Sequence, residues 1–221
     1  MAGVNISADA DTDIRLKEAN HRIKNSLQLA CSLLRLQAMK YPDTYLEAEL
    51  FQASSRIASI AKVHDRLCRT DDSRVDVAAY LRDLCADLTS SLSLTPGWSV
   101  RVMATHTLVP ADFATSLGLI VTELVTNALK HAYRGGASGK IQVAFIPLAD
   151  GTLQLTIADK GIGLPKGFEM AEHGGLGMLF LKNLCQSLKA DLEIDRTPPG
   201  TRFTLCLPSV EPPASSVTIY A

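Results

Sequence analysis

The sequence predicts an α+β chain: an N-terminal antiparallel helical hairpin, then an α/β sandwich with a mixed sheet and helices on one face. Two observations carry the hairpin. Residues 13–40 hold no glycine or proline and place Leu16, Ala19, Ile23, Leu27, Ala30 and Leu34 at steps of three and four, the period of an amphipathic helix. After the break Tyr41-Pro42-Asp43-Thr44, a second run repeats that spacing through Leu46, Leu50, Ala53, Ile57, Ile60, His64 and Leu67. A third observation carries the sandwich: beyond residue 73, short alternating apolar runs are interleaved with helical ones and with glycine-rich turns. The expected divisions are a disordered N-terminus at 1–12, the hairpin at 13–72, the sandwich at 73–210 and a flexible tail at 211–221.

Within the first helix the apolar line faces away from Lys17, Glu18, His21, Lys24, Asn25, Gln28, Ser32 and Arg35, which puts His21 at the centre of the wet face. Asp43 or Thr44 can cap the second helix. Two long helices joined by a short turn pack antiparallel, and their stripe is more than two helices can bury, so a four-helix bundle of two chains is expected. His64 lies on that stripe and reads as a hydrogen-bonded packing histidine. Thr70-Asp71-Asp72-Ser73 is the expected hinge.

Past that joint, Asp76 can cap a helix through Val77, Tyr80, Leu81, Leu84 and Leu88. A turn at Pro96-Gly97 leads to a strand near 98–103, and a helix follows from about Pro110 to the pair Gly135-Gly136. Strands near 141–148 and 153–158 join through Asp150-Gly151, a hairpin signal. Residues 164–177 read as an irregular lid, followed by a helix to about Lys189 and strands near 192–195 and 202–207.

Composition narrows the function. Of 221 residues, 47% are apolar and 20% charged, with a net charge of −1, which gives no electrostatic case for nucleic acid or an anionic membrane. No apolar run has the length of a membrane span, and the polar N-terminus is no signal peptide. Five scattered cysteines point to buried thiols in a reducing cytoplasm, and none pairs with a histidine at zinc-ligand spacing.

The chemistry concentrates in Thr122–Ala132, TELVTNALKHA. On an otherwise apolar helix, Glu123 and Asn127 stack four residues apart, and Lys130 and His131 continue the line. These four residues can wall a polar pocket or simply form a wet face. In Leu153–Asp159 alternation turns Asp159 inward with Leu153, Leu155 and Ile157, where a carboxylate needs a donor such as the exocyclic amine of a purine. Asp159-Lys160-Gly161-Ile162-Gly163 follows it, and Gly174-Gly175-Leu176-Gly177 opens a helix whose N-terminal amides suit phosphate.

In this order, ELVTNALKHA, DKGIGLP, GGLG and Gly200-Thr201-Arg202-Phe203 resemble the GHKL-type ATP-binding fold of histidine kinases, gyrases, MutL-type proteins and heat-shock chaperone ATPases. Upstream, Glu18–Leu27 (EANHRIKNSL) and Arg56–Asp65 (RIASIAKVHD) resemble the phosphoacceptor hairpin of HisKA_2/HWE-type sensor histidine kinases. The resemblance implies ATP and Mg2+, with Asn127 on the metal and Glu123 helping to hold it or its water. It implies Asp159 on the adenine, and Gly161 and Gly163 close to the base. Gly175, Leu176 and Gly177 would lie by the phosphates, Thr201 would belong to the nucleotide site, and Lys130 would stabilise phosphoryl oxygens with His131 beside it. His21 becomes the acceptor, Glu18 the candidate carboxylate for orienting it, and Asn25 either a holder of water for the reverse reaction or a cap for neighbouring polar groups. Arg22 stands where the larger class has an acid.

The implied partners are a response-regulator receiver domain and a second copy of the chain. The dozen residues before the first helix hold no sensory domain, so input would come from a separate partner or from a longer chain. The rivals are a phosphotransferase with a vestigial ATP site, an anti-sigma-type protein serine kinase, and a plain ATPase.

Overall fold

The computed structural model describes residues 6–42, 44–67, 74–91, 98–133, 139–165, 167–168, 175–196 and 199–210; within these, the side chains of 6–17, 20, 21, 67, 91, 175 and 176 are not described. The expected hinge at 70–73, the turn at Pro96-Gly97 and the tail at 211–221 fall outside them. The hairpin consists of α1 (Ile6–Ala38) and α2 (Tyr45–Leu67). Helix α1 thus starts ahead of the expected position near Asp13. Thr44 caps α2, its hydroxyl accepting the Glu47 amide at 3.1 Å, which satisfies a first-turn N–H. The two helices are held in antiparallel register at one level by Arg35 Nε donating to Ser54 Oγ (3.1 Å) and at another by the Lys24–Asp65 ion pair.

The remaining elements are β1 (Arg74–Asp76), α3 (Val77–Ser91), β2 (Ser99–Ala104), β3 (Leu108–Pro110), α4 (Ala111–His131), β4 (Lys140–Pro147), β5 (Leu153–Asp159), α5 (Gly175–Ser187), β6 (Asp191–Asp195) and β7 (Arg202–Leu207). Five strands form a sheet in the order β2-β4-β5-β7-β6, with β2 and β4 parallel and the other neighbours antiparallel. The parallel pair needs a crossover, and α4 lies within it. The small antiparallel ladder β1–β3 brings Val75 opposite Val109. Asp76 caps α3, accepting the Ala78 amide at 3.0 Å.

Alternation works as expected in the central strands. Ile141, Val143 and Phe145 of β4 and Leu155 and Ile157 of β5 are buried on the helix side, against Leu117, Ile120 and Leu124 of α4 and Leu181 of α5. The opposite face carries half-buried or exposed residues such as Gln142, Thr156 and Arg202. The β4–β5 turn uses Gly151 at φ 83°, with Thr152 N donating to Asp150 Oδ1. Cys31, Cys85 and Cys185 are buried free thiols, whereas Cys206 is exposed.

The hairpin is not a separate body. Val63 of α2 belongs to the same core as the sheet and α4. Tyr80 of α3, fully buried, donates from its hydroxyl to Ser59 O of α2 at 3.2 Å. A Cβ on Gly118 would overlap the Tyr80 ring, so glycine at that point of α4 is what lets the tyrosine through. Lys62–Asp87 and Arg66–Asp83 ion pairs flank the same seam. His64 is half-buried, but its Nδ1 has no hydrogen-bond partner among the described residues, so the expected hydrogen-bonded histidine is only partly realised.

Candidate functional site

Helix α4 and strand β5 build one wall each of a cavity of about 970 Å3. Asn127, Lys130 and His131 come from α4, Ile157 and Asp159 from β5, Gly163 and Leu164 from the following loop, and Thr201 and Phe203 from the entry to β7. Phe168 and Met178 close the apolar side. Neither was expected as a site residue: Met178 reads as part of the helix that follows the glycines, and Phe168 lies in an irregular segment where no periodicity marks a residue as buried.

Asp159 sits where alternation put it. Its Oδ1 accepts the Gly161 amide at 2.8 Å, and burial pushes its pKa up while the Gly161 and Thr201 backbone donors pull it down. The carboxyl is therefore half-satisfied and open to a further donor from the cavity. Two glycines hold this corner in place. At Gly161 a Cβ would overlap Ala132 O, and the next amide, Ile162 N, donates to that oxygen at 2.7 Å; Gly161 thus brings the loop onto the end of α4 and does not itself line the cavity. Gly200 has φ 94° and a Cβ there would overlap Asp159 O, so β7 can enter beside β5 only with glycine. Gly163, at φ 73°, does line the cavity. Tyr133 braces the floor, its hydroxyl donating to Lys140 O and accepting from Lys160 N, with Trp98 packed edge-on at 5.1 Å.

Asn127 is half-buried and lines the cavity, but Glu123 does not. One turn earlier on α4, Glu123 is 1% exposed and turned to the hairpin. Arg56 Nε donates to its Oε1 at 2.5 Å, Arg56 NH2 to its Oε2 at 2.9 Å, and Gln52 Nε2 to Oε2 at 2.6 Å. Glu123 raises the Arg56 pKa above its ordinary value, chiefly through that hydrogen bond. The Arg56 guanidinium also lies 5.0 Å from the Phe180 ring of α5, and a Cβ on Gly177 would press on Glu123 Oε2. Lys130 donates to Gln52 Oε1 at 3.3 Å; burial lowers its pKa. His131 stands at the exposed rim, its pKa lowered by partial burial and then by Lys130, which keeps it neutral.

Of the expected site residues, Asn127, Lys130, His131, Asp159, Gly163 and Thr201 converge on one cavity. Gly175 and Leu176 lie in the first turn of α5, and Gly177 in that turn packs towards Glu123. His21 lies on α1, but its side chain is outside the described set. Glu18, expected to orient it, is paired with Arg22 at 2.6 Å on the exposed surface. The cavity's size, its apolar side and the inward Asp159 fit an adenine nucleotide. Among the described residues no group of three or more His, Cys, Asp or Glu side chains can hold a metal ion. Asn127 would offer magnesium an amide oxygen from the cavity wall, a ligand type that suits this hard cation.

Comparison with known proteins extends this. A family profile described as "Histidine kinase" (HisKA_2) matches residues 18–92, and one described as "Histidine kinase-like ATPase domain" (HATPase_c_2) matches residues 92–207. Blue-light-activated histidine kinase 2 of Erythrobacter litoralis is 28% identical over 203 residues, covering 90% of this chain and 58% of that protein. The sensor histidine kinase PdtaS of Mycobacterium tuberculosis is 30% identical over 173 residues, 78% of this chain and 34% of that protein. The chain thus spans a little over half of the first of these relatives and about a third of the second. The solved histidine kinase domain of the Erythrobacter litoralis EL346 blue-light-activated kinase superposes with a TM-score of 0.68 at 24% identity, covering 90% of this chain and 94% of that one, which shows the shared fold. Among the described residues no helix is long and apolar enough to cross a membrane.

Proposed function

Because the chain belongs to the histidine kinase family that joins a HisKA_2 region to a histidine kinase-like ATPase domain, we propose that it is a cytoplasmic protein-histidine kinase of a two-component system. It takes the γ-phosphoryl of ATP onto His21 and passes it to an aspartate of a receiver domain. The observation that carries this reading is the convergence of Asn127, Asp159, Gly163 and Thr201 on one cavity in a chain whose first helix presents the His21 segment.

Asp159 accepts a hydrogen bond from the adenine amine, with Ile157, Met178 and Phe168 against the ring. Magnesium held by Asn127 would supply positive charge to the phosphoryl oxygens. Lys130 stands on the cavity wall as a second nitrogen donor for those oxygens, its pKa lowered by burial. An imidazole of ordinary pKa, about 6.5, is mostly neutral at pH 7 and has a free ring nitrogen. That nitrogen attacks the γ-phosphorus in line. The N–P bond forms as the bond to the β,γ-bridging oxygen breaks, ADP leaves with the electron pair, and the proton on the other ring nitrogen passes to water. Positioning and charge neutralisation supply the catalysis. The phosphoramidate then gives its phosphoryl to a receiver carboxylate, and His21 recovers its proton.

The exposed Leu29, Leu33 and Leu36 of α1 form a second apolar line, stepping by four and three, that the hairpin leaves uncovered, which supports dimerisation through this face. Input would come from regions present in the longer relatives or from a separate partner. A protein serine kinase on the same nucleotide fold has no use for the His21 helix.

The test is incubation with γ-labelled ATP and Mg2+. Acid-labile, alkali-stable label is expected on the wild-type chain, absent from His21→Gln and chased onto a receiver domain. Acid-stable label, or no label on the wild type, would refute the reading.

A further inference from the structure

The resemblance assigns Glu123 to the metal, yet both of its oxygens are occupied by α2. Arg56 covers them with a forked pair, Gln52 adds a third donor, and the carboxylate is all but shut off from water. A side chain so placed cannot also face the nucleotide. The partner residues are separated from Glu123 by more than sixty positions, so this contact ties the hairpin to the sandwich.

The direction of the helices adds a consequence. Glu123 meets Arg56 and Gln52, while Lys130 further along α4 meets Gln52 and Ala48. Helix α4 therefore runs towards the hairpin turn as it approaches the cavity. On α1 the level of Arg56 corresponds to Cys31, whose thiol reaches Ser54 O. His21 lies ten residues before Cys31 (31 − 21), about 15 Å along the axis in the opposite direction. In the docked arrangement the cavity and the acceptor's level of α1 lie at opposite ends of the α2–α4 contact.

Resting on the kinase reading, we propose that Arg56 and Gln52 are positioning residues that latch α2 to α4 in a non-transferring state and withhold Glu123 from the ATP site until the latch opens. The seam has two halves. Around Tyr80, Ser59 and Val63 it is part of the core and stays closed; around Arg56 and Glu123 it is held by the forked ion pair and the Gln52 amide, and there it opens. Removing the cation leaves a buried, uncompensated carboxylate, which is relieved when α2 lifts and water enters. Neutralising both partners removes that drive, since two amides of similar shape can still hydrogen-bond.

Amide hydrogen exchange on the nucleotide-free chain tests the latch without any catalysis. In Arg56→Gln, exchange at 48–56 and 120–127 should rise at least tenfold while 59–66 stays as in the wild type; Arg56→Gln/Glu123→Gln should return it to within about threefold. Unchanged exchange in the single variant, a rise spread over 59–66, or failure of the double variant to restore protection would overturn the proposal. Autophosphorylation gives the second arm. Arg56→Gln should raise the rate at saturating ATP several-fold, and Arg56→Lys, which keeps the charge, should stay near the wild type. A slower Arg56→Gln chain, or an Arg56→Lys chain as fast as it, overturns the latch. A wild-type chain that takes no label refutes the kinase reading alone and leaves the exchange arm standing.

Discussion

Helices α1 and α4 carry the same apolar spacing, and the fold uses them in opposite ways. Helix α4 is buried along most of its length, including Thr122, Glu123 and Thr126; the threonine hydroxyls donate to carbonyls one turn back, and Glu123 is met by Arg56. Helix α1 leaves Leu29 62%, Leu33 54% and Leu36 59% exposed. One helix is finished within its own chain and lines the cavity; the other leaves an apolar line uncovered by the described residues. Apolar periodicity fixes that a helix is amphipathic, while the polar atoms it buries decide whether its face is core or interface.

The widest contrast is energetic. Leu155→Ala, in the fully buried sheet, should lower unfolding free energy by about 2–5 kcal/mol in denaturant titration, whereas Leu33→Ala should change it by less than about 0.5 kcal/mol and instead weaken self-association in sedimentation. Comparable losses at both positions would erase the distinction. Next is Asp159→Asn, which should weaken ATP binding roughly 10–100-fold by calorimetry, the range for losing a charge-assisted hydrogen bond. The same variant should alter the pH dependence of stability. Because burial raises the Asp159 pKa, the folded chain holds that proton more tightly than the unfolded chain does. That contribution is fully present below the ordinary carboxylate pKa and is lost as pH rises through the raised value. Thermal melts of the nucleotide-free wild type should therefore lose ground to Asp159→Asn as pH climbs from 4 to 7. A smaller effect belongs to Tyr80→Phe, which removes the donor to Ser59 O while keeping the ring, and should cost about 1 kcal/mol by denaturant titration. Smallest is Glu18→Gln on α1: its partner Arg22 is exposed, so stability should move by less than about 0.5 kcal/mol in the same titration.

Much of this was legible in the residues. The strand containing Asp159 could be read from its alternation, the turn from Asp150-Gly151, and the α2 cap from Thr44, because each depends on neighbours within four positions. Three-residue strands such as β1 and β3 carry too little pattern to show, and their pairing becomes visible only in three dimensions. Gly161 and Gly200 were legible as glycines but not in their reason, which is close approach to Ala132 O and Asp159 O. Glu123 shows the limit most clearly. Its place on the helix was evident, yet its partners come from a helix far back in the chain, and nothing local in either segment announces an ion pair.

The most direct test of the account is where the phosphoryl lands. After incubation with Mg2+ and ATP, neutral-pH tryptic mapping and 31P NMR should place a phosphoramidate on the peptide Glu18–Arg22, and Asn127→Ala should abolish it. Phosphate ester on a serine-bearing peptide, or free phosphate released at equal rates by the wild type and His21→Gln, would contradict it.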